Sequence, residues 1–131
     1  MIQAAIVGLG RWGQTLVGSV QGKSERLRFT HAVSRDPSRV SEFIATHRLQ
    51  IFGSLDAALA DPGIDAVVLA TPHSLHADQI VASAAAGKAV FCEKPLTLTR
   101  AEALRVLRDA PLRGAPQDED FSNAITGLSS S

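Results

Sequence analysis

The stretch "AIVGLGRWG", residues 5–13, decides the fold. It contains Gly8, Gly10 and Gly13 in the spacing G-x-G-x-x-G, directly after an apolar run and at the start of a helix-period segment. In this context the first glycine permits a tight turn, the second lets a pyrophosphate approach the backbone, and the third allows close packing of helix on strand. The N-terminus of the helix adds N–H groups and partial positive charge. The stretch therefore predicts a nucleotide-binding turn, and the alternative is a turn needed only for packing.

Apolar runs and helix-period segments alternate on the C-terminal side of this turn. The predicted strands cover residues 2–7, 27–33, 51–52, 66–70 and 89–92, and the predicted helices cover residues 12–20, 38–47, 55–60, 75–86 and 101–108. Such alternation is typical of right-handed βαβ units that build a parallel sheet covered on both faces. We therefore predict an α/β fold in three layers, an open doubly wound sheet with the strand order 3-2-1-4-5.

Local signals mark several helix ends. Asp36 before Pro37 predicts an N-cap followed by proline at the first helical position. Thr99 and Glu102 have the spacing of a capping box. Gly87 predicts the end of the helix that precedes the last strand.

The chain changes composition after Ala110, which divides it into two parts. Residues 1–110 are the predicted dinucleotide-binding domain, and residues 111–131 form a linker-like tail rich in proline, glycine, acidic residues and serine. Within the tail, four apolar residues have the spacing i, i+3, i+4, i+7 and predict a short helix: Phe121, Ala124, Ile125 and Leu128. We expect no second domain from a tail of this length.

The composition excludes several classes of function. The 13 basic and 13 acidic side chains cancel, so no net charge recruits nucleic acid or an anionic membrane. The N-terminus lacks the pattern of a signal peptide, and no apolar run approaches about 18 residues. The single cysteine, Cys92, excludes an internal disulfide and fits a reducing compartment. We expect a cytoplasmic protein that binds neither nucleic acid nor membrane.

The end of the second strand carries the residues that choose between the two nicotinamide cofactors. The chain there reads Ser34-Arg35-Asp36, where the adenosine ribose is expected. Arg35 offers a guanidinium to a 2′-phosphate and Ser34 offers a hydroxyl. Asp36 could instead accept from a free 2′-hydroxyl, although Pro37 makes a helix cap at least as good an interpretation. The sequence favours NADP, with NAD as the alternative.

Two further loops are predicted at the same edge of the sheet. "TPHSLHAD" at 71–78 follows the fourth strand, and "EKPLT" at 93–97 follows the fifth. Because ligands bind beyond the carboxyl ends of the strands where strand order reverses, these loops and the glycine turn are expected to meet in one crevice. Lys94 is then placed to exchange a proton with a substrate oxygen, held in an extended or cis-proline segment by Pro95. The alternative for Glu93 and Lys94 is a solvated ion pair.

The histidines of the second loop allow two interpretations. His73 and His76 have a spacing that would permit shared metal ligation, but no third ligand is identifiable, so we predict no metal site. His76 is better placed as a hydrogen-bonding or proton-relay group beside the nicotinamide, or else as a surface histidine at a helix start. Trp12 is predicted to pack beside the glycine turn without a chemical role, and Cys92 to be a small core residue.

Together these motifs resemble the glucose-fructose oxidoreductase / inositol dehydrogenase / MocA (Gfo/Idh/MocA) family. The matching pieces are "VGLGRWG" at 7–13, "SRD" at 34–36, "ATPHSLHAD" at 70–78 and "CEKPLT" at 92–97. The resemblance implies a Rossmann fold in which Lys94 contacts substrate and cofactor and assists proton transfer, with His76 near the nicotinamide. The cofactor-binding residues expected on this basis are Gly8, Gly10, Arg11, Trp12, Gly13, Ser34, Arg35, Thr71, Pro72, His73, Glu93 and Lys94.

The resemblance implies an oxidoreductase that transfers hydride between NADP or NAD and a hydroxyl or carbonyl of a sugar-like or polyol substrate. Family members continue into a sixth strand and a large α/β domain that covers the substrate, and this sequence contains neither. We therefore expect an incomplete active site. The alternative is a nucleotide-binding module without independent catalysis, which associates with itself or a partner through surface that the second domain normally covers.

Overall fold

A computed structural model of the protein describes residues 1–110. The strands are β1 (Ile2–Val7), β2 (Leu27–Val33), β3 (Gln50–Phe52), β4 (Ala66–Leu69) and β5 (Ala89–Cys92). The helices are α1 (Arg11–Val20), α2 (Ser41–His47), α3 (Leu55–Ala60), α4 (His76–Ala85) and α5 (Arg100–Asp109). The helix predicted within residues 121–128 lies outside the described residues.

The sheet has five parallel strands in the order β3-β2-β1-β4-β5. This order and the three-layer architecture confirm the predicted doubly wound fold. The register pairs Val7 with Val33 and with Leu69, and Leu69 with Cys92. Val33 also pairs with Phe52, the last residue of β3, so all five strands end at the same level, which brings the loops that follow them to one edge of the sheet.

Each face of the sheet buries its own apolar core, because side chains along a strand alternate between the faces. On β1, Ala5 and Val7 join a core with α3, α4 and α5, while Ala4 and Ile6 join the core under α1 and α2. All four side chains are at most 2% exposed. A strand buried on both faces reads as a continuous apolar run, as this one does.

Helix ends explain most of the boundaries. The predicted capping box is present: the Glu102 amide donates to Thr99 Oγ1 at 3.1 Å, and the Thr99 amide donates to Glu102 Oε2 at 3.2 Å. Gly87 follows α4 with φ of +75°, in the left-handed region that favours glycine.

The helix predicted over residues 38–47 begins as a 3₁₀ turn at Pro37–Val40 and becomes α-helical at Ser41. Asp36 is the N-cap residue of that turn, but its carboxylate binds the Ser38 hydroxyl instead of a backbone N–H. A second 3₁₀ turn, His73–Leu75, precedes α4. None of the helices within residues 1–110 is long and apolar enough to cross a membrane.

Candidate cofactor-binding and active site

The glycine turn, residues 8–13, is held against β4 by close backbone contacts. Gly8 has φ of +95°, and a Cβ on it would lie 2.7 Å from the carbonyl oxygen of Ala70. A Cβ on Gly13 would lie 2.0 Å from the carbonyl oxygen of Gly8. Both positions therefore require glycine for packing, since real Cβ atoms do not approach this closely.

Gly10 serves a different purpose. Apart from its chain neighbours, no atom of residues 1–110 lies within 4 Å of the place where its Cβ would be. Within the same residues no side chain caps the start of α1, so the N–H groups of its first turn are open to a ligand. Open space in front of a helix N-terminus fits an anionic group such as a pyrophosphate.

The main crevice, about 510 Å³, opens in front of this turn. It runs from the glycine turn past the end of β2 to the loop after β4, which is the geometry expected of a dinucleotide site at the switch point of the sheet. Its walls come from the ends of β1 to β4 and the segments that follow them, and include Gly8, Gly10, Ser34, Arg35, Asp36, Arg39, Gly53, Ser54, Thr71, Pro72, Leu75 and Gln79.

The residues after β2 place two guanidinium groups beside one end of the crevice. Arg35 lines it as predicted, and Arg39 joins it from the 3₁₀ turn. The Asp36 carboxylate is engaged by the Ser38 hydroxyl and lies 3.6 Å from Arg39 Nε. Arg39 was not predicted as a site residue, because the sequence places it inside the helix predicted over residues 38–47 and not in the segment that ends β2. The signal in the sequence that could have identified Arg39 is its position as a second basic residue, four positions after Arg35.

The side cavity, about 390 Å³, is lined by Trp12, Ala70, Thr71, His73, Glu93 and Lys94. It shares Ala70 and Thr71 with the main crevice. The glycine turn, the second loop (residues 71–75) and the third loop (residues 93–97) therefore meet at adjoining cavities, as the sequence predicts. Of the expected cofactor-binding residues, Arg11 and Gly13 line neither cavity.

Lys94 is exposed at the side cavity next to the half-buried Glu93. Within residues 1–110 the two side chains form no ion pair with each other, so the alternative of a Glu93–Lys94 pair is not what the structure contains. The peptide bond between Lys94 and Pro95 is cis. Trp12 is 52% exposed and contributes an aromatic wall to the cavity.

His76 is buried, with a ring that is 0% exposed, so the alternative of a surface histidine is wrong. Its ring centroid lies 5.5 Å from that of His73, which lines the side cavity. Nδ1 lies 2.9 Å from the carbonyl oxygen of Pro95, and Nε2 lies 3.0 Å from that of Thr71. Both ring nitrogens therefore face backbone carbonyls, which makes His76 a hydrogen-bonding group between two loops.

Cys92 ends β5 with a half-buried side chain packed against the core under α4 and α5. Burial, with a smaller contribution from the charge of Glu93, raises the pKa of the Cys92 thiol to about 11. The thiol is therefore neutral at physiological pH and is a poor nucleophile. Among residues 1–110, no group of three or more histidine, cysteine, aspartate or glutamate side chains could hold a metal ion.

The fold and the glycine turn define a Rossmann domain with a dinucleotide-binding crevice. A sequence profile of the oxidoreductase family with an NAD-binding Rossmann fold, Gfo/Idh/MocA, matches residues 2–116. The chain belongs to the Gfo/Idh/MocA family.

Three known proteins illustrate the likeness. An inositol 2-dehydrogenase from Leifsonia xyli is 36% identical over 81% of this chain and 31% of its own length. A 3-ketoreductase from Actinomadura kijaniata, solved with TDP-benzene and NADP, is 28% identical with a TM-score of 0.76, over 86% of this chain and 36% of that one. The WlbA dehydrogenase from Bordetella pertussis, solved with NADH and UDP-GlcNAcA, is 29% identical with a TM-score of 0.76, over 83% and 32%.

The chain spans about a third of the length of the curated relatives it matches. The matched third is the NAD(P)-binding Rossmann domain of an oxidoreductase.

Proposed function

We propose that this domain binds NADP in preference to NAD and serves an oxidoreductase that acts on a hydroxyl or carbonyl group of a sugar-like or polyol substrate. The observation that carries the proposal is the shared wall of Ala70 and Thr71, which joins the main crevice to the cavity that holds Lys94. The bound nicotinamide would supply or accept the hydride. The substrate class follows the relatives, which include inositol and dihydrodiol dehydrogenases.

The preference for NADP is supported by the charges after β2. Arg35 and Arg39 both line the main crevice beside the Ser34 hydroxyl, a set that suits a 2′-phosphate. Among residues 1–110, Asp36 is the one acidic residue that lines the crevice, and its carboxylate accepts from Ser38 and faces Arg39. These contacts compete with the free 2′-hydroxyl of NAD for the carboxylate.

Lys94 is the residue that we propose moves a proton to or from the substrate oxygen. Its ammonium group is exposed at the side cavity, where it can reach a substrate without displacing a partner in the described part of the chain. A positioned lysine contributes to such a reaction when its protonation state matches the step. His73, also exposed at this cavity, is a candidate for orienting the substrate.

The first test is a fluorescence titration of the purified chain with NADPH and with NADH. We expect Arg35→Ala and Arg39→Ala each to weaken NADPH binding about tenfold or more, because a hydrogen bond to a charged group contributes roughly 1.5–3 kcal/mol. NADH binding should change little. Arg26→Ala, another exposed arginine outside both cavities, is the matched control.

The same titration includes Gly10→Glu, whose carboxylate would fill the open space in front of α1 and repel a pyrophosphate. This variant should lose both cofactors. A wild-type chain that binds neither cofactor would overturn the proposal, and equal losses of NADPH and NADH affinity in Arg35→Ala would overturn the preference for NADP.

A second candidate function is favoured by a groove at the edge of the sheet. The edge groove, about 760 Å³, lies along β5 and α5, and three large apolar side chains in it are half exposed or more: Phe91, Leu96 and Leu107. Apolar surface of this kind marks association sites. The chain would then be a nucleotide-binding module that associates with a second copy or a partner and does not turn over substrate alone. Steady turnover of a polyol by the isolated chain would contradict this candidate.

A cytoplasmic location remains part of the proposal. It is supported by the single cysteine, which fits a reducing compartment. Fractionation of cells that express the tagged full-length protein is the direct measurement.

A further inference from the structure

We propose that His76 is a positioning residue that holds the second loop and the third loop in fixed relation, and through them sets Lys94 against the wall of the main crevice. The part that concerns Lys94 and the cofactor rests on the function proposed above. The part that concerns the two loops stands on the structure of the free chain and is tested separately.

The burial of His76 requires a structural explanation. Within the described part of the chain, only His76 and Ser83 are polar side chains buried from solvent. Ser83 donates to the carbonyl of Gln79 one turn earlier in the same helix, at 2.7 Å. His76 instead contacts carbonyls in two separate loops, 5 and 19 residues away in sequence. A buried imidazole needs hydrogen-bond partners, and these two carbonyls are placed to accept from its ring N–H.

The two carbonyls belong to residues beside the proposed chemistry. Thr71 lines both cavities, and its hydroxyl also donates to Gln79 Oε1 at 2.5 Å. Pro95 directly follows Lys94 in the chain. The start of α4 therefore holds the shared wall through Nε2 of His76 and the backbone after Lys94 through Nδ1.

Because the imidazole ring is rigid, its two nitrogens hold the two carbonyl oxygens at a fixed distance from each other. A neutral imidazole donates one of the two hydrogen bonds, and the imidazolium donates both. Two amide side chains allow the contacts to be tested one at a time. The amide nitrogen of asparagine takes the place of Nδ1, and that of glutamine takes the place of Nε2. His76→Asn is thus expected to keep the bond to Pro95, His76→Gln the bond to Thr71, and His76→Leu neither.

The experiment measures amide hydrogen exchange in the cofactor-free chain by NMR. In His76→Leu, exchange should accelerate about tenfold or more at the hydrogen-bonded amides of the two loop regions: Leu75, which donates to the Pro72 carbonyl, and Leu98, which donates to Glu102 Oε2. His76→Asn should restore slow exchange at Leu98 but not at Leu75, and His76→Gln should do the reverse. Ser83→Ala, which removes the other buried polar group of α4, should leave both loops at the wild-type rate.

Two results would overturn the positioning role. One is equal acceleration throughout β1, β4 and both loops, which would mean that His76 only stabilises the domain. The other is an identical exchange pattern in the asparagine, glutamine and leucine variants, which would mean that neither ring contact holds its loop.

A second measurement adds NADPH and tests the link to Lys94. Wild-type chain with NADPH should show slower exchange at the glycine turn and also in the third loop, whereas His76→Leu should show it at the glycine turn alone. The same protection of the third loop in both chains would overturn the link. A wild-type chain that binds no NADPH would instead overturn the proposed function, while the cofactor-free pattern still decides the role of His76.

Discussion

The main crevice, about 510 Å³, lies beyond the carboxyl ends of the strands, and the edge groove, about 760 Å³, lies along β5 and α5. The main crevice opens in front of a glycine turn in which Gly8 and Gly13 leave no room for a Cβ and Gly10 leaves open space. The edge groove is bounded by apolar side chains that remain exposed, with Phe91 at 54% and Leu107 at 60%.

The difference shows which of the two cavities needs no partner surface to complete it. The residues that line the main crevice come from the first three βα units, the loop after β4 and Gln79 in α4. The groove has apolar walls whose burial would yield about 25 cal/mol for each Å² covered, an amount gained only when another surface covers them. Cofactor binding is thus expected of this chain alone, and the groove is expected to respond to partners.

The largest expected effect comes from filling the space behind the glycine turn. Gly13→Ala would place Cβ 2.0 Å from the Gly8 carbonyl oxygen, and relieving that contact should cost about 3 kcal/mol of unfolding free energy or more. The expected loss of stability has the opposite sign to the effect of helix propensity, which favours alanine over glycine inside a helix by about 1 kcal/mol. Urea denaturation measures the change.

Gly10→Ala is the matched control for that comparison. No neighbouring atom among the described residues 1–110 opposes its Cβ, so the unfolding free energy should fall by no more than about 1 kcal/mol, the usual range for alanine at an N-cap. A larger loss in Gly10→Ala than in Gly13→Ala would contradict the division between a packing glycine and a ligand-facing one.

The reactivity of the Cys92 thiol measures how far a residue that lines the edge groove is protected from solvent. With a pKa raised to about 11, the thiol should react with iodoacetamide at pH 8 about 100-fold more slowly than in the urea-unfolded chain, tenfold for each pKa unit. The folded state binds the thiol proton more tightly than the unfolded state does. The resulting contribution to the unfolding free energy is complete below about pH 9 and is lost as the pH rises to about 11. Cys92→Ala should lack this part of the pH dependence, and an equally fast reaction in the folded chain would contradict the burial.

A smaller effect is expected at the helix that forms one wall of the groove. Thr99→Ala removes the side chain that caps α5 and should lower the unfolding free energy by about 1 kcal/mol. Thermal unfolding followed by circular dichroism measures it. Thr97→Ala is the control, since within residues 1–110 that hydroxyl donates only to the Thr99 carbonyl, and an equal loss there would mean that the cap is not responsible.

The smallest change in stability is expected from Phe91→Ser. Because this side chain is largely exposed, its loss should alter the unfolding free energy by no more than about 0.5 kcal/mol. Phe29→Ala, on the buried β2 position, should cost about 3–5 kcal/mol. Sedimentation velocity then tests the groove: if it mediates self-association, Phe91→Ser shifts the chain toward the monomer, and an unchanged distribution would contradict that role.

Much of the fold follows from the sequence because its signals are local. The apolar runs, the glycine spacing and the caps at Thr99 and Gly87 each depend on a few neighbouring residues, and the strand order follows from the rules for βαβ units. The meeting of three loops at one edge was predictable for the same reason.

The parts that sequence reasoning missed depend on contacts between distant segments. The burial of His76 requires the third loop to fold over the start of α4, and no local pattern encodes that contact. Arg39 enters the crevice only because the chain after Asp36 forms a 3₁₀ turn before the α-helix begins. Gln79 in α4 joins the site because the Thr71 hydroxyl donates a hydrogen bond to its side chain across the start of that helix.

The strand order also has a consequence for synthesis on the ribosome. Of the five strands, β1 leaves the ribosome before the others, and it becomes the centre of the sheet, paired with β4 as well as β2. At about 5–20 residues per second, a nascent chain that has formed β2 waits roughly two to seven seconds for residue 69. During that interval one edge of Ile2–Val7 is unpaired and the main crevice is incomplete, so a cofactor cannot yet stabilise the newborn chain.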